Sequence, residues 1–577
     1  MKDDDLLTQA RDHYKQTSDA WGSIYDEARD DLKFVYDVDS GQWPSQIRKE
    51  RETAGRPMIT SNKLQKVLRT IRGDMRQNRP RIKVIPVDDK ADPQMADIYN
   101  GLIRQIEYLS DAGIAYDTAY MQAISGSVGF FRIRTDYSDE MSFDQDIFID
   151  RILDSTSVHL DPNCREFCYA DAQYGFIEEL IDEKAYKARF PDSDATNFDG
   201  TNTLFGDWIS GRKIRVAEYF CKEAERINIA LLQSGKVVPL DGKLTPEFYA
   251  TVLKDPVVRD RETDTHVVKW YLINGGEILE KKDWPGKYIP IIPVFGDEII
   301  VDGKRYYLSL ARGAKGPQQM YNYWATAATE TVALAPKAPF ILDARQVKGF
   351  EKEWENSNRE NRAWLPYKHI PGVAKPQREH QTEVPTAIMA MMQAMAFDVE
   401  DHLGRYEASK GQTSNERSGK AIMARITQAD KGTYTFVDNL TRSIIFAGRQ
   451  LIDLIPKIYD TKRALRIMGD DGEQKVVNVN TPVPTEAGIA TVNDLSVGKY
   501  DLISTMGASF SSKREEMTQM MIESMQYAPT LAGVIAPLVF KYSDWPGAQE
   551  IAAELKKAVD QQQAVAMQQG GNGGQPQ

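Results

Sequence analysis

Two apolar helical segments that flank a proline-rich insert constrain the fold of this chain more than any other feature. The first runs from Pro317 to Ala335 and ends before Pro336, whose ring removes a backbone donor. Glu330 is its only charged residue, and several alanines keep its surface small. We expect this helix to pack against other helices, although an ordinary core helix has the same pattern.

The second segment spans residues 385–397 and is apolar on nearly all faces, before charge returns at Asp398. A helix that is apolar all round is expected to be buried, and its methionines can pack against several partners. We therefore predict a helical hairpin, formed by residues 313–336 and 385–403, whose sides contact other subunits. The side chains expected in that packing are Tyr323, Trp324, Ala328, Met391 and Met395.

The insert between the two segments, residues 337–384, combines prolines with aromatic residues. Prolines at positions 339, 366, 371 and 376 prevent a long continuous helix. The aromatic residues, which need apolar surroundings, are Phe340, Phe350, Trp354, Trp364 and Tyr367. A small subdomain that projects from the tip of the hairpin satisfies both requirements, with a short amphipathic helix expected within residues 345–362.

A proline-free run follows a polar link at residues 404–419 and extends from Lys420 to Leu454. About 35 residues of helix would be roughly 50 Å long. Four cations fall near one azimuth of this helix: Lys420, Lys431, Arg442 and Arg449. Such a stripe suits a surface that follows nucleic acid, but Asp438, four residues before Arg442, favours a salt-bridged face instead.

The remainder of the chain mixes helices with strands. Apolar spacing predicts helices at residues 5–36, 63–76, 95–110 and 116–125, the second of them capped by Asn62. Alternating patterns and hairpin turns predict strands at 81–87 and 128–136, and within 213–308 and 464–504. Helices are again expected at 513–527 and 548–569, before a low-complexity tail. We therefore predict an α+β protein that is predominantly helical.

The charge of the chain limits how it can meet nucleic acid. Its net charge is -12 and its pI is near 5.3, whereas proteins that grip duplex DNA depend on Lys and Arg to neutralise phosphates. A conduit along which DNA slides suits an acidic chain, because strong phosphate contacts would retard movement. The most basic stretch, residues 66–83, is interpreted as a solvated helix face beside an acidic partner.

Cysteine content and hydropathy indicate where the protein resides. Three cysteines are too few for a disulfide framework in 577 residues, so a reducing compartment is expected. No run approaches the 18 or so apolar residues of a membrane span, and the first residues lack a signal pattern. We expect a soluble intracellular chain without direct membrane insertion.

The sequence gives little reason to predict catalysis. It lacks a phosphate-binding loop, a dinucleotide fingerprint and a paired-histidine motif. Cys164 and Cys168, near His159 and Asp161, form an incomplete metal pattern, and a loop with two buried thiols is the favoured interpretation. Acidic pairs such as 161 with 171, or 398 with 401, suit magnesium in principle, but 84 acidic residues make chance pairs common. We predict no cofactor, no metal and no enzymatic activity.

Several short stretches occur in a characteristic order along the chain. They are Asn62-Lys-Leu, residues 76–86, 101–107 and 125–129, Asp161-Pro162 with Asp171-Ala172, residues 288–294 with 302–304, Pro317-Gln-Gln319 with Asn322, and residues 412–421. In this order they resemble the portal proteins of tailed bacteriophages, in the branch typical of short-tailed phages. The likeness covers about residues 5 to 555, and no single stretch is diagnostic.

The resemblance implies a portal fold assembled as a closed ring, usually of twelve subunits, at one capsid vertex. Residues 1–80 and 81–312 would form the helical and α+β parts of an outer wing, 313–336 and 385–403 two stem helices, and 337–384 a protruding clip. Residues 404–419 would lie at the channel loop. Residues 420–456 would be a long helix that joins stem to crown, 457–510 a return to the wing, and 511–577 the crown helices and tail.

The resemblance also implies function and partners. Double-stranded DNA passes through the ring during genome packaging and ejection, and Lys410 and Arg417 are expected to contact it. The terminase large subunit would dock on the clip, followed by head-completion and tail adaptor proteins. The aromatic residues expected at subunit or adaptor contacts are Phe350, Trp354, Trp364 and Tyr367. Major capsid and scaffolding proteins are further partners, in the host cytoplasm during assembly and then at the virion vertex.

Two departures from the family pattern and two alternatives stand beside this interpretation. Thr326 occupies a position where relatives often have serine, and a long C-terminal helical barrel is expected to be missing or reduced to a stub after Ala548. The first alternative is a metal-dependent enzyme of nucleic-acid processing. The second is another ring-forming tail or connector protein of structural function.

Overall fold

A computed structural model describes most of the chain. The described residues are 3–77, 79–87, 92–193, 209–210, 213–233, 235, 237–240, 245–251, 255–334, 340–357, 363–378, 386–404, 434–468, 474–485, 488–506, 520–525, 532–541, 551, 554–555 and 557. The helices predicted at 513–527 and 548–569 lie mostly outside these residues, as does the first part of the long helix predicted from Lys420.

The N-terminal part is helical, as the apolar spacing predicts. It contains α1 (Asp3–Tyr36), α2 (Ser45–Thr53), α3 (Lys63–Gln77), strand β1 (Pro80–Pro86), α4 (Pro93–Leu109) and α5 (Ala112–Gly126). The predicted cap of α3 is confirmed, because Asn62 Oδ1 accepts a hydrogen bond from the Gln65 amide at 3.1 Å. The apolar face predicted for α3 is buried, including Leu64 and Ile71.

The following region is rich in strands. Its elements are β2 (Val128–Tyr137), β3 (Gln145–Arg151), β4 (Val158–Leu160), β5 (Tyr174–Asp182), α6 (Glu183–Arg189), β6 (Ile209–Ser210), β7 (Lys213–Leu232), β8 (Val237–Leu240), α7 (Pro246–Thr251), β9 (Val257–Ile273), β10 (Ile278–Trp284), β11 (Ile291–Phe295), β12 (Asp297–Val301) and β13 (Lys304–Leu308). One antiparallel sheet has the order β10–β9–β7–β5–β4, with β6 and β8 also paired to β7. A second has the order β11–β2–β3, and β12 pairs with β13.

The helical hairpin and its insert follow. They comprise α8 (Lys315–Leu334), β14 (Phe340–Ile341), α9 (Ala344–Val347), α10 (Glu351–Glu355), β15 (Gln377–Arg378) and α11 (Thr386–His402). Both helices of the predicted hairpin are confirmed and pack on each other. The single amphipathic helix predicted within residues 345–362 is wrong. The chain breaks between α9 and α10, where Gly349 has a φ of 92°, a left-handed conformation that glycine tolerates.

The C-terminal part of the chain packs and pairs with elements of the first half. It contains α12 (Tyr434–Ile458), β16 (Arg463–Met468), β17 (Gln474–Val479), β18 (Thr481–Thr485), β19 (Gly488–Val492), β20 (Tyr500–Met506) and α13 (Ala532–Lys541). β16 pairs with β17 and β18 with β19, as the predicted short strands suggest. β20 pairs antiparallel with β1, so that Met506 lies opposite Pro80. This pairing joins two segments that are more than 400 residues apart in sequence.

Four clusters of buried apolar side chains hold the described elements together, and the two with most residues lie around α12 and around Trp21. The larger contains the inward faces of α3, α4, α5 and α12, with residues such as Tyr120, Leu440 and Leu451 buried. The second surrounds Trp21 of α1, which stacks near Tyr307 with ring centroids 6.1 Å apart. Because α12 packs against β11 and β1, the C-terminal half is part of the same folded body as the N-terminal half.

A bilayer-spanning segment is not found among the helices in the described ranges, where no stretch has the length and hydropathy that such a span needs.

Candidate subunit-contact and DNA-channel surfaces

The hairpin of α8 and α11 is anchored at its base by Asp31 of α1, which is buried. The Asp31 carboxylate accepts hydrogen bonds from Ser309 Oγ at 2.7 Å and Arg312 Nε at 3.0 Å. Lys315 Nζ lies 2.6 Å from its other oxygen. Because a buried carboxylate requires such partners, these contacts fix the point at which α8 begins.

A stripe of polar side chains on α8 holds a short strap, residues 59–63, along the helix. Thr326 Oγ1 accepts a hydrogen bond from the Ile59 amide at 3.1 Å, and Asn322 Oδ1 accepts one from the Ser61 amide at 3.1 Å. Gln318 makes two hydrogen bonds to the backbone of the strap. Its Oε1 accepts one from the Lys63 amide and its Nε2 donates one to Ser61 O, each at 3.0 Å. All three α8 side chains are buried.

The same stripe continues to Glu330, the only charge in the predicted segment. Glu330 Oε1 lies 2.8 Å from Arg51 Nη1, and both side chains are less than one-fifth exposed. The four residues of the stripe are spaced by four, so they share one helix face. That spacing of 318, 322, 326 and 330 was available in the sequence, and it is the signal that could have revealed this contact face of α8.

Helix α11 has a buried end and an exposed end. Val399, near its C-terminus, and Leu403, just beyond it, are fully buried in the larger core. Toward its N-terminus Met389 is 51% exposed and Met391 is 40% exposed, and Phe397, only two residues before Val399, is 53% exposed on another face. The prediction that this helix is buried on all sides is therefore wrong for the single chain, because only one of its faces packs on α8.

The other side chains predicted to pack on the hairpin are partly buried. Tyr323 meets Trp43 edge to face, with ring centroids 4.9 Å apart. Trp324, Ala328 and Met395 are each half-buried. Part of the Tyr323 ring is thus covered by Trp43 of the same chain, whereas Met391 remains exposed.

The aromatic residues of the insert divide into a small internal core and an exposed surface. Trp354 Nε1 donates a hydrogen bond to Pro366 O at 2.7 Å, and Phe340 meets the Trp354 ring edge to face at 5.0 Å. Phe350 is half-buried and Tyr367 is 37% exposed. Trp364 is 74% exposed, so it is the aromatic residue of the insert with most surface available to a partner.

The predicted DNA contacts Lys410 and Arg417 lie outside the described residues, as do Lys420 and Lys431 of the cation stripe. In the described half of that stripe, Arg442 Nη2 lies 2.8 Å from Asp438 Oδ2 on α12. The Arg442 guanidinium also lies over the Phe167 ring, 5.5 Å from its centroid. At Arg442, these contacts support the salt-bridged interpretation of the stripe.

The basic face of α3 is held by one buried carboxylate. Arg72 Nε and Arg76 Nε both donate to the Asp117 carboxylate, at 2.9 Å and 3.0 Å. Burial tends to raise the pKa of Asp117, but the hydrogen bonds from the two guanidiniums outweigh it and lower that pKa below its usual value. Asp117 is therefore an acidic partner of this helix face at Arg72 and Arg76, in line with the interpretation drawn from the sequence.

The features that suggested metal chemistry have structural explanations. Cys164 is buried and Cys168 half-buried, and burial raises the pKa of the Cys168 thiol to about 11. Asp161 accepts from the Asn163 amide at 2.9 Å, and Asp171 accepts from the Arg165 amide at 2.6 Å. Across the described parts of the chain, no three His, Cys, Asp or Glu residues are grouped so that they could hold a metal ion.

Comparison with known proteins identifies the family. A family model described as Phage P22-like portal protein matches residues 11–577. The chain is also similar to the Portal protein of Acyrthosiphon pisum secondary endosymbiont phage 1, with 25% identity over 511 residues. The matched region covers 83% of this chain and 70% of that relative. The resemblance to portal proteins of short-tailed phages is confirmed by these matches. The chain therefore belongs to the P22-like portal protein family, whose members are structural phage proteins and not enzymes.

Proposed function

We propose that copies of this portal protein close into a ring, of about twelve subunits, through the surfaces of α8 and α11. The observation that carries the proposal is the apolar surface that α11 leaves exposed on more than one of its faces, at Met389, Met391 and Phe397. Soluble monomers rarely leave this much of a helix's apolar surface open to water. Neighbouring copies in a ring would bury this surface, while the buried Val399 and Leu403 hold the C-terminal end of α11 in the core of its own subunit.

The proposal is tested by making the exposed end of α11 polar. Met389→Gln with Met391→Gln keeps strong helix formers and removes apolar surface that the single chain does not bury. We expect the fold to survive and the fraction of protein in rings to fall, measured by sedimentation velocity. The matched control is Val258→Thr with Val476→Thr, which changes exposed residues of β9 and β17. If the Met389→Gln, Met391→Gln variant assembles as fully as the control variant and the wild type, α11 does not form the ring contact.

The ring would serve as the conduit for DNA during packaging and ejection. Its acidic net charge supports sliding over gripping, because few phosphate contacts resist movement. Lys410 and Arg417, next to the stem in sequence, are the proposed points of transient contact with duplex DNA. Charge reversal at both, Lys410→Glu with Arg417→Glu, is expected to slow packaging in an assembled head, and unchanged packaging would remove these residues from the proposal.

The insert at residues 337–384 would form the clip that receives the terminase large subunit and later the head-completion and tail adaptor proteins. Its own small core around Trp354 supports an independent docking module, and the exposed Trp364 supplies an aromatic anchor of the kind found at interfaces. The α+β region would be the wing, α8 and α11 the stem, and residues 511–577 the crown. Capsid and scaffolding proteins would meet the ring in the host cytoplasm, before it occupies one vertex of the virion.

A further inference from the structure

The hairpin of β2 and β3 presents two bare apolar side chains at its tip. Met141 is 94% exposed and Phe143 is 97% exposed, although the strands beneath them pair regularly up to Tyr137 opposite Gln145. The loop is ordered by its own hydrogen bonds, from the Met141 amide to Asp139 Oδ1 at 2.8 Å and from the Asp144 amide to Ser142 Oγ at 3.0 Å. An ordered loop that exposes two large apolar residues is typical of a contact surface.

The tip is also acidic. Asp139, Glu140 and Asp144 are all exposed beside the two apolar residues. Asp144 lies 3.7 Å from Nη1 of Arg463, whose Nη2 donates to Gln145 O at the loop end of the β2–β3 ladder, so part of the Asp144 charge is offset there. A surface that fits this tip must therefore be apolar in the middle and positive at its edge.

The turn between α4 and α5 has that character. Tyr108 is 59% exposed, Leu109 is 55% exposed and Ile114 is 51% exposed. Arg79 borders Ile114, because its Nη2 donates to Gly113 O at 3.2 Å, and the exposed Asp111 places one negative charge within the turn. Burial raises the pKa of the adjacent Glu107, and Arg79, Arg81 and Arg104 oppose that shift by facing its carboxylate.

The tip and the turn are separate surfaces of one copy. Ser110 Oγ, in the turn, accepts a hydrogen bond from the Ile149 amide of β3 at 3.0 Å. Phe143 lies six residues away along the hairpin, about 20 Å at the rise of a strand. The regular β2–β3 ladder keeps the tip from folding back onto the turn.

We propose that the Met141–Phe143 tip of each copy docks on the Tyr108–Leu109–Ile114 turn of the next copy. A contact between two different surfaces of the same chain is heterologous, and contacts of this kind close into rings. Local attraction between an acidic tip and an arginine-bordered turn would also offset the repulsion expected between copies of net charge -12. The inference rests on the proposed ring and adds a second contact to it, outside the helical hairpin.

Cross-linking tests the contact directly in the full-length chain. Phe143→Cys with Ile114→Cys, treated with a short bismaleimide, is expected to give a ladder of covalent multimers on a denaturing gel. Each single variant is expected to give none, and the wild type controls for Cys164, Cys168 and Cys221. Rings that are visible by electron microscopy but yield no ladder would overturn the inference while leaving the proposed ring in place.

A second variant measures how much the tip contributes to assembly. Met141→Ser with Phe143→Ser changes only exposed side chains, so the fold is expected to persist. The protein concentration at half-assembly is expected to rise at least tenfold, whereas Val258→Ser with Val476→Ser leaves it unchanged. Equal assembly of the wild type and the tip variant would overturn the inference and assign the tip to a different partner. A wild-type chain that forms no ring would contradict the proposed function and this inference together.

Discussion

Asp117 shows how one buried carboxylate can organise a basic helix face. Its side chain is 2% exposed, while those of Arg72 and Arg76 are 38% and 53% exposed. Replacing Asp117 with Asn would leave two guanidiniums without their anion. We expect Asp117→Asn to lower the free energy of unfolding at pH 7 by about 1–2 kcal/mol, less than for a fully buried pair because the guanidiniums are partly solvated.

The stability that Asp117→Asn loses should depend on pH in a defined direction. Because the pKa of Asp117 is lowered in the folded protein, its contribution is present above the unfolded pKa and disappears as the pH falls through the folded value. The difference between wild type and Asp117→Asn is thus expected to be constant from pH 7 to about 5 and to shrink below about pH 4. Urea unfolding at several pH values measures it, with the exposed Asp97→Asn as control. A difference that grows in acid would refute the assignment.

The hydroxyl at position 326 provides a second test at the residue scale. Thr326 Oγ1 is the acceptor for the Ile59 amide at 3.1 Å. Thr326→Val would leave that amide without its acceptor and is expected to lower stability by about 1–3 kcal/mol. Thr326→Ser keeps the acceptor and should lose about 1 kcal/mol or less. Thermal unfolding ranks the two, and equal losses would show that the hydrogen bond contributes little.

At this scale the sequence predicts what is local and misses what is distant. The Asn62 cap and the inward face of α3 follow from spacing within one helix, and both are confirmed. The strap on α8 was missed because Thr326 and Ile59 are 267 positions apart. Single-sequence patterns carry no register between such segments, so only the stripe of polar residues on α8 hinted at it.

Close packing between elements leaves no room for a side chain at Gly129 on β2. A Cβ atom there would lie 2.1 Å from the Ala119 carbonyl oxygen of α5, and backbone cannot move aside as a flexible side chain can. Gly129→Ala is expected to lower stability by about 3 kcal/mol or more. Gly73→Ala on α3 meets nothing within 4 Å and should raise stability by about 1 kcal/mol. Urea unfolding compares them, and a neutral Gly129→Ala would contradict the packing of α5 on β2.

The insert is the element whose removal separates ring formation from motor docking. Replacing residues 337–384 with a short flexible linker removes Trp354 and Trp364 but leaves the base of α8 and α11 intact. We expect rings to form and binding of the terminase large subunit to be lost, measured by co-sedimentation. Trp364→Ala is the matching single substitution. It removes the proposed aromatic anchor, an exposed ring, without disturbing the core around Trp354. Terminase binding by the deletion variant would move the docking site elsewhere.

Element boundaries were predictable where helix periodicity was strong. The predicted helices at 95–110 and 116–125 correspond to α4 and α5 within a few residues. The predicted helix at 345–362 failed, because charged and apolar residues kept a helical spacing across Gly349, whose positive φ ends α9. A glycine that breaks a helix and a glycine that sits within one look alike in a single sequence.

For the whole molecule, the exposed surface carries information that the core does not. The sequence predicted a buried α11, yet Met389, Met391 and Phe397 are exposed in the single chain. The pattern of apolar residues indicates that a surface is covered, but not whether the same copy or another one covers it. Membership of the P22-like portal family implies a multimer, in which another copy can cover this surface.

Electron microscopy of the purified full-length protein tests the central claim most directly. End-on views should show a closed ring of about twelve copies, with a central hole wide enough for duplex DNA and α11 at the contacts between copies. That result would agree with the exposed apolar surface of α11 and with the family. A monomer or dimer at every concentration, with or without scaffolding protein, would contradict the proposal that this chain forms the DNA conduit by closing into a ring.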